Sequence, residues 1–153
     1  MAFLLQLSVL IAALHYIAAG PVDEAKQMLQ TELLTYEKCG KENNIAEAEL
    51  ERIISHYEIA DTRNAKCLAS CHLRGMKMMS EDGVVNWDRV DEIHQIEYVK
   101  PEDDAKALEV TKACRNSVKG TADHCDTAYL ALKCFLDNAK KANLHLLGTE
   151  DLQ

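Results

Sequence analysis

Beyond residue 20 the polar and apolar positions alternate with a helical period. Val22, Ala25, Leu29, Leu33 and Tyr36 fall at spacings of three and four and end near Gly40. Such spacing places side chains on one face of an α-helix. Ala46, Leu50, Ile53 and Tyr57 form a second stripe. Asp61 stands where a side-chain cap would open a third helix, which carries Ala65, Cys67, Leu68 and Cys71 and ends near Gly75. Asn86 stands in the same position before a fourth, with Val90, Ile93 and Ile96 inward. Pro101 opens a fifth, where its missing N–H costs no hydrogen bond, and Ala107, Val110 and Cys114 lead on to Gly120. A sixth starts near Thr121 or Asp123 and carries Cys125, Tyr129, Leu132 and Leu136. No useful stretch alternates with the two-residue period of a strand. The pattern predicts an all-α fold, one domain of about six short helices over residues 21–153, with no repeat.

The two ends of the chain depart from this pattern. Met1 to Gly20 contains no Lys, Arg, Asp or Glu and closes on the small residues Ala18, Ala19 and Gly20. An apolar run with a small-residue end reads as a secretory signal peptide, residues 1–20, cleaved after Ala19 or Gly20. A membrane anchor fits less well, because no positive charge flanks the run. At the other end, residues 144–153 place Leu144, Leu146 and Leu147 before Gly148 and the acidic Glu150 and Asp151. Three leucines suit docking against the body better than exposure.

Charge narrows the function. With 17 Lys and Arg against 25 Asp and Glu, the formal charge is -8. Nucleic acid and anionic lipid both require clustered cations, so neither is an expected partner. No constellation points to catalysis either. Cys71 and His72 are adjacent, but an oxidised Cys71 has no thiolate to offer. His124 and Asp126 are two apart, and residues two apart on a helix do not face each other. There is no Gly-x-Ser-x-Gly, no phosphate loop and no Gly-rich calcium loop. The chain is read as a non-enzyme without a metal or cofactor.

All six cysteines, Cys39, Cys67, Cys71, Cys114, Cys125 and Cys134, follow the apolar leader. An even count in a small exported chain reads as three disulfides. No Cys-x2-Cys pair suggests zinc. Cys67 and Cys71 lie one turn apart on one helix face, so they present two sulfurs to neighbours and not to each other. Cys125 and Cys134 are nine positions apart, which turns them to opposite sides of the sixth helix. Many connectivities remain open on these grounds.

The intervals between successive cysteines are 27, 3, 42, 10 and 8 residues. This pattern, together with the segment CDTAYLALKCF from Cys125 to Phe135, resembles the six-cysteine signature of the insect odorant-binding proteins. The resemblance implies helices around an apolar cavity, held by interlocked bridges Cys39–Cys71, Cys67–Cys125 and Cys114–Cys134. It implies a secreted carrier of a small apolar ligand, an odorant, a pheromone or a lipid, delivered to a membrane receptor. A lipid or hormone carrier outside the sense organs is one alternative. A cysteine-rich defence or signalling protein with a solid core is another.

By the same resemblance, the pocket positions stand at set offsets from the cysteines. They are Leu73, Met76 and Met78 after the third, Leu108 and Thr111 before the fourth, and Ala131 and Phe135 beside the sixth. Trp87 and Ile93 on the fourth helix and Leu146 and Leu147 in the tail complete the set. Some pheromone binders place a hydroxyl on the third helix where this chain has Leu73, so an alcohol would need Thr111 or Tyr129 instead. Beyond the leader the chain has one Phe, one Trp and four Tyr, which argues against a many-ringed box and for an aliphatic and methionine wall. Release is expected to respond to acid, through histidines that charge between about pH 5 and 8 and through a tail whose carboxylates protonate.

Overall fold

A computed structural model of the chain describes residues 20–153. The leader expected over residues 1–20 lies outside them, apart from Gly20. The described residues form six α-helices: α1 (Pro21–Glu42), α2 (Glu47–His56), α3 (Arg63–Gly75), α4 (Trp87–Glu97), α5 (Pro101–Ser117) and α6 (His124–Lys141). A short 3-10 turn, Thr149–Leu152, follows in the tail. There is no strand among the described residues. One isolated antiparallel bridge, Met79 to Val85, closes the loop between α3 and α4. Among the described residues no helix is long and apolar enough to cross a membrane.

The helix boundaries follow local chemistry. Pro21 and Pro101 occupy the first turns of α1 and α5, and acidic residues follow each where the helix dipole favours them. Asn86 caps α4 by accepting from the Arg89 N–H, and Asp123 caps α6 by accepting from the Cys125 and Asp126 N–H groups. At α3 the cap is Thr62, whose hydroxyl accepts from the Ala65 N–H at 3.3 Å. Asp61 is one residue too early and instead meets Lys66 Nζ at 2.7 Å.

Two helix ends differ from the sequence pattern. Gly40 does not stop α1. It lies buried inside the helix, where an added Cβ would stand 3.0 Å from Leu50 Cδ2, so its role is the close approach of α2. α5 ends at Ser117, short of Gly120, because Val118 turns into extended backbone and packs against the largest core cluster.

Three disulfides fix the helices: Cys39 of α1 to Cys71 of α3, Cys67 of α3 to Cys125 of α6, and Cys114 of α5 to Cys134 of α6. These bridges join α1, α3, α5 and α6. α4 packs between α1 and α5 without a bridge. The last residues return to the body. Leu144 and Leu146 are buried, and the Tyr57 hydroxyl donates to the Leu146 carbonyl at 2.6 Å.

Candidate ligand-binding cavity

The helices do not close completely on one another. Between α1, α2, α3, α4, α6 and the tail lies a cavity of about 120 Å³. Its apolar wall draws on every one of these elements, from Leu33 of α1 to Phe135 of α6 and Leu147 of the tail. An empty apolar cavity costs roughly 24 cal/mol per Å³, about 3 kcal/mol here. One disulfide typically stabilises a fold by about 2–4 kcal/mol, so the bridges are strong enough to hold the space open.

Eight of the positions named from the sequence border this cavity: Leu73, Met78, Trp87, Ile93, Ala131, Phe135, Leu146 and Leu147. Met76, Leu108 and Thr111 lie off its wall. Met76 is buried in the neighbouring core, with the Thr35 hydroxyl 3.7 Å from its sulfur. Leu108 and Thr111 belong to α5, which stands behind α4 and contributes no lining residue. The Thr111 hydroxyl donates to the Ala107 carbonyl at 3.0 Å and meets His94 Nδ1 at 3.0 Å. It therefore supports a wall residue from behind. Tyr129 is buried away from the cavity, so neither the Thr111 nor the Tyr129 hydroxyl reaches the space.

The wall carries more rings than composition suggests. Tyr36, Tyr57, Trp87, Tyr98 and Phe135 all border the cavity, joined by the imidazoles of His72 and His94. The few aromatic residues are concentrated at one place, which a count cannot reveal. They are also ordered among themselves. The Tyr36 and His72 rings stack at 3.7 Å between centroids, and the His94 and Phe135 rings at 4.5 Å.

One end of the cavity is polar, and the cysteine offsets pass over it. Glu32 of α1 and Glu97 of α4 both line the space. Each interrupts an otherwise apolar stripe, Leu29-Glu32-Leu33-Tyr36 and Trp87-Val90-Ile93-Glu97, and that placement is the signal in the sequence that marks them. Glu32 Oε1 lies 3.1 Å from His72 Nε2. Burial raises the Glu32 pKa, but the hydrogen bond and charge of His72 and a hydrogen bond from Glu97 outweigh it, leaving Glu32 below its ordinary value. Glu97 moves the other way. Burial pushes it well above the carboxylate range, and the charge and hydrogen bond of Glu32 add to that. The two carboxyls are therefore pushed apart, Glu32 keeping its charge and Glu97 its proton the more readily of the two. Burial lowers the His94 pKa to about 4, against an opposing pull from Glu32, so this ring is neutral near neutral pH. No Lys or Arg borders the cavity.

Residues 22–138 match the model of the PBP/GOBP family. The chain is 29% identical over an alignment of 157 residues to general odorant-binding protein 19d of Drosophila melanogaster, covering 95% of this chain and 98% of that one. It is 28% identical to general odorant-binding protein 72 of Anopheles gambiae over 117 residues, 76% of this chain and 93% of the relative. Among solved structures, the odorant-binding protein dmelOBP28a of Drosophila melanogaster superposes with a TM-score of 0.67 at 25% identity, covering 79% of this chain and 99% of that one. Odorant-binding protein 5 of Apis mellifera superposes with a TM-score of 0.65 at 19% identity, covering 80% and 97%.

Proposed function

The chain belongs to the PBP/GOBP family, and from that premise we propose that it is a secreted carrier of small hydrophobic ligands, odorants or pheromones among them. The observation that carries this reading is the apolar cavity, enclosed by five helices and the tail. Transfer of apolar ligand surface from water into such a space supplies roughly 25 cal/mol per Å² buried. A dry apolar cavity of about 150 Å³ engineered into a protein core accepts benzene. The space here, about 120 Å³, suits a ligand of similar bulk. A longer ligand extends past Leu147 and Tyr98, which also wall a second space of about 200 Å³ beneath the tail.

Residues 1–20 serve as the export signal, and three disulfides suit an extracellular fluid. The apolar positions bordering the cavity, Phe135 and Leu73 foremost, make the main ligand contacts. The cargo passes from aqueous fluid to a membrane receptor.

The tail is the gate, and acid shifts its position. Leu146 and Leu147 are part of the wall. The Asp151 carboxylate accepts from His145 Nε2 at 3.0 Å and from the Gly148 N–H at 2.8 Å, which folds the tail end on itself. Lys26 Nζ donates to the Gln153 carbonyl at 2.8 Å. Tyr57, Glu97, Lys100 and Asp103 face the tail from the body.

The test is equilibrium binding of an apolar fluorescent probe, displaced by octanol, to the full chain and to a chain lacking residues 144–153. The full chain is expected to bind at about micromolar affinity and to change affinity between about pH 7 and about pH 5. The shortened chain is expected to lose that pH dependence. Absence of saturable binding would overturn the carrier, and an unchanged pH dependence after the deletion would overturn the gate.

A further inference from the structure

The polar end of the cavity has a specific deficit. Glu97 is 8% exposed, and its Oε1 has no hydrogen-bond partner among the described residues. His72 is 1% exposed, and its Nδ1 has none either. An ionised Glu32 only accepts, so His72 Nε2 is the donor to it. Glu97 Oε1 is a carboxyl oxygen free to accept. A buried polar atom left unpaired is costly, so this end of the cavity wants a donor.

Charge points in the same direction. This end holds two carboxyls, and Tyr36 and Tyr98 line the cavity with them. Against them stand the imidazoles of His72 and His94, and His94 makes its polar contact with Thr111 on the far side. No Lys or Arg lines this cavity, while Lys26 and Lys100 border the second space on the other side of Glu97. A carboxylate ligand would bring a third acid here. An alcohol would bring a donor but no charge. An ammonium brings both the N–H donor that Glu97 Oε1 lacks and the positive charge that lets Glu97 ionise beside Glu32.

We propose that the Glu32–Glu97 end of the cavity is a recognition site for the ammonium group of a small apolar amine. The hydrocarbon part lies against Ile93, Phe135 and Leu147, and the ammonium donates to Glu97 Oε1. On binding, the Glu97 proton is released to solvent and the carboxylate pairs with the ligand cation. This deepens the carrier reading and rests on it.

The experiment compares octylamine, octanol and octanoic acid as displacers of an apolar fluorescent probe near neutral pH. It uses the wild-type chain and the near-isosteric variants Glu97→Gln and Glu32→Gln. Octylamine is expected to bind about tenfold or more tighter than octanol, and octanoic acid weaker than both. Each Gln substitution is expected to remove most of the amine preference, read as the ratio of octylamine to octanol affinity in the same chain. Retained octanol binding shows that the variant is folded and its cavity intact. An amine that binds no tighter than the alcohol in wild type overturns the proposal, whatever the variants do. So does a Gln variant that weakens both ligands equally. Octanol binding without an amine preference leaves the carrier standing and removes only the amine site. Failure of the whole series, probe included, removes the carrier and the amine site together.

Discussion

His94 shows how much a single buried ring decides. It packs on Phe135 and edge-on against Tyr98, and Thr111 satisfies its Nδ1. Burial lowers its pKa from 6.5 to about 4. As pH falls, the unfolded chain therefore takes up this proton first. The contribution is intact above about 6.5 and is lost as pH falls toward about 4, a full shift worth about 3 kcal/mol. Glu97 has the opposite sign, because its folded pKa is raised. Its uptake of a proton gains stability as pH falls toward the usual carboxylate range. Urea unfolding at stepped pH is expected to show a shallower acid loss for His94→Gln than for wild type. The same series should show higher neutral-pH stability and a steeper acid loss for Glu97→Gln. Parallel curves for all three chains would contradict this assignment. At this scale the sequence was partly legible. Offsets from the cysteines lead to Leu73, Ala131 and Phe135, since bridged helices hold those positions at set distances. They miss Glu32, His72, His94 and Glu97, whose polarity reads as a solvated face unless the helical phase of each is followed.

At the scale of elements, the hydrophobic phase locates the six helices of the described residues, because each has a mainly apolar face. Where the pattern misplaces an end, a tertiary contact is the reason. Gly40 is a contact point for Leu50 and not a stop, and Val118 leaves α5 to fill the core. The position of α5 was not legible either. Its stripe of Ala107, Val110 and Cys114 packs on α4 and α6, so Leu108, one residue and about 100° further round, is only half-buried and off the cavity wall. Gly75 is a close approach of the same kind between α3 and α1. A Cβ there would stand 2.6 Å from Thr35 Cγ2. Gly75→Ala is expected to destabilise the fold by about 1–3 kcal/mol through overpacking, read as a lower urea midpoint. Thr35→Ser removes the clashing methyl, so the double variant should recover most of the loss. A Gly75→Ala chain as stable as wild type would show that the helices separate without cost.

At the scale of the molecule, the chain maintains an internal space that most domains of this size would fill. The bridges tie α1, α3, α5 and α6, while α4 and the tail, which carry much of the cavity wall, are held by packing and hydrogen bonds without a bridge. That division keeps a rigid frame around a wall able to adjust to its contents. The cysteine spacing made the frame legible. The cavity itself was not, because whether facing apolar stripes meet or stand apart depends on side chains from several helices at once. Ala131 tests the central claim most directly. It is 5% exposed and borders the cavity from α6, so a larger side chain there occupies the space while its surroundings keep their bridges. Calorimetric titration with octanol is the measurement, on wild type and on Ala131→Phe, each first shown to be folded. Wild type is expected to bind one equivalent, and the filled variant to lose at least about tenfold in affinity. Equal binding by the two chains would place the ligand elsewhere and contradict the account.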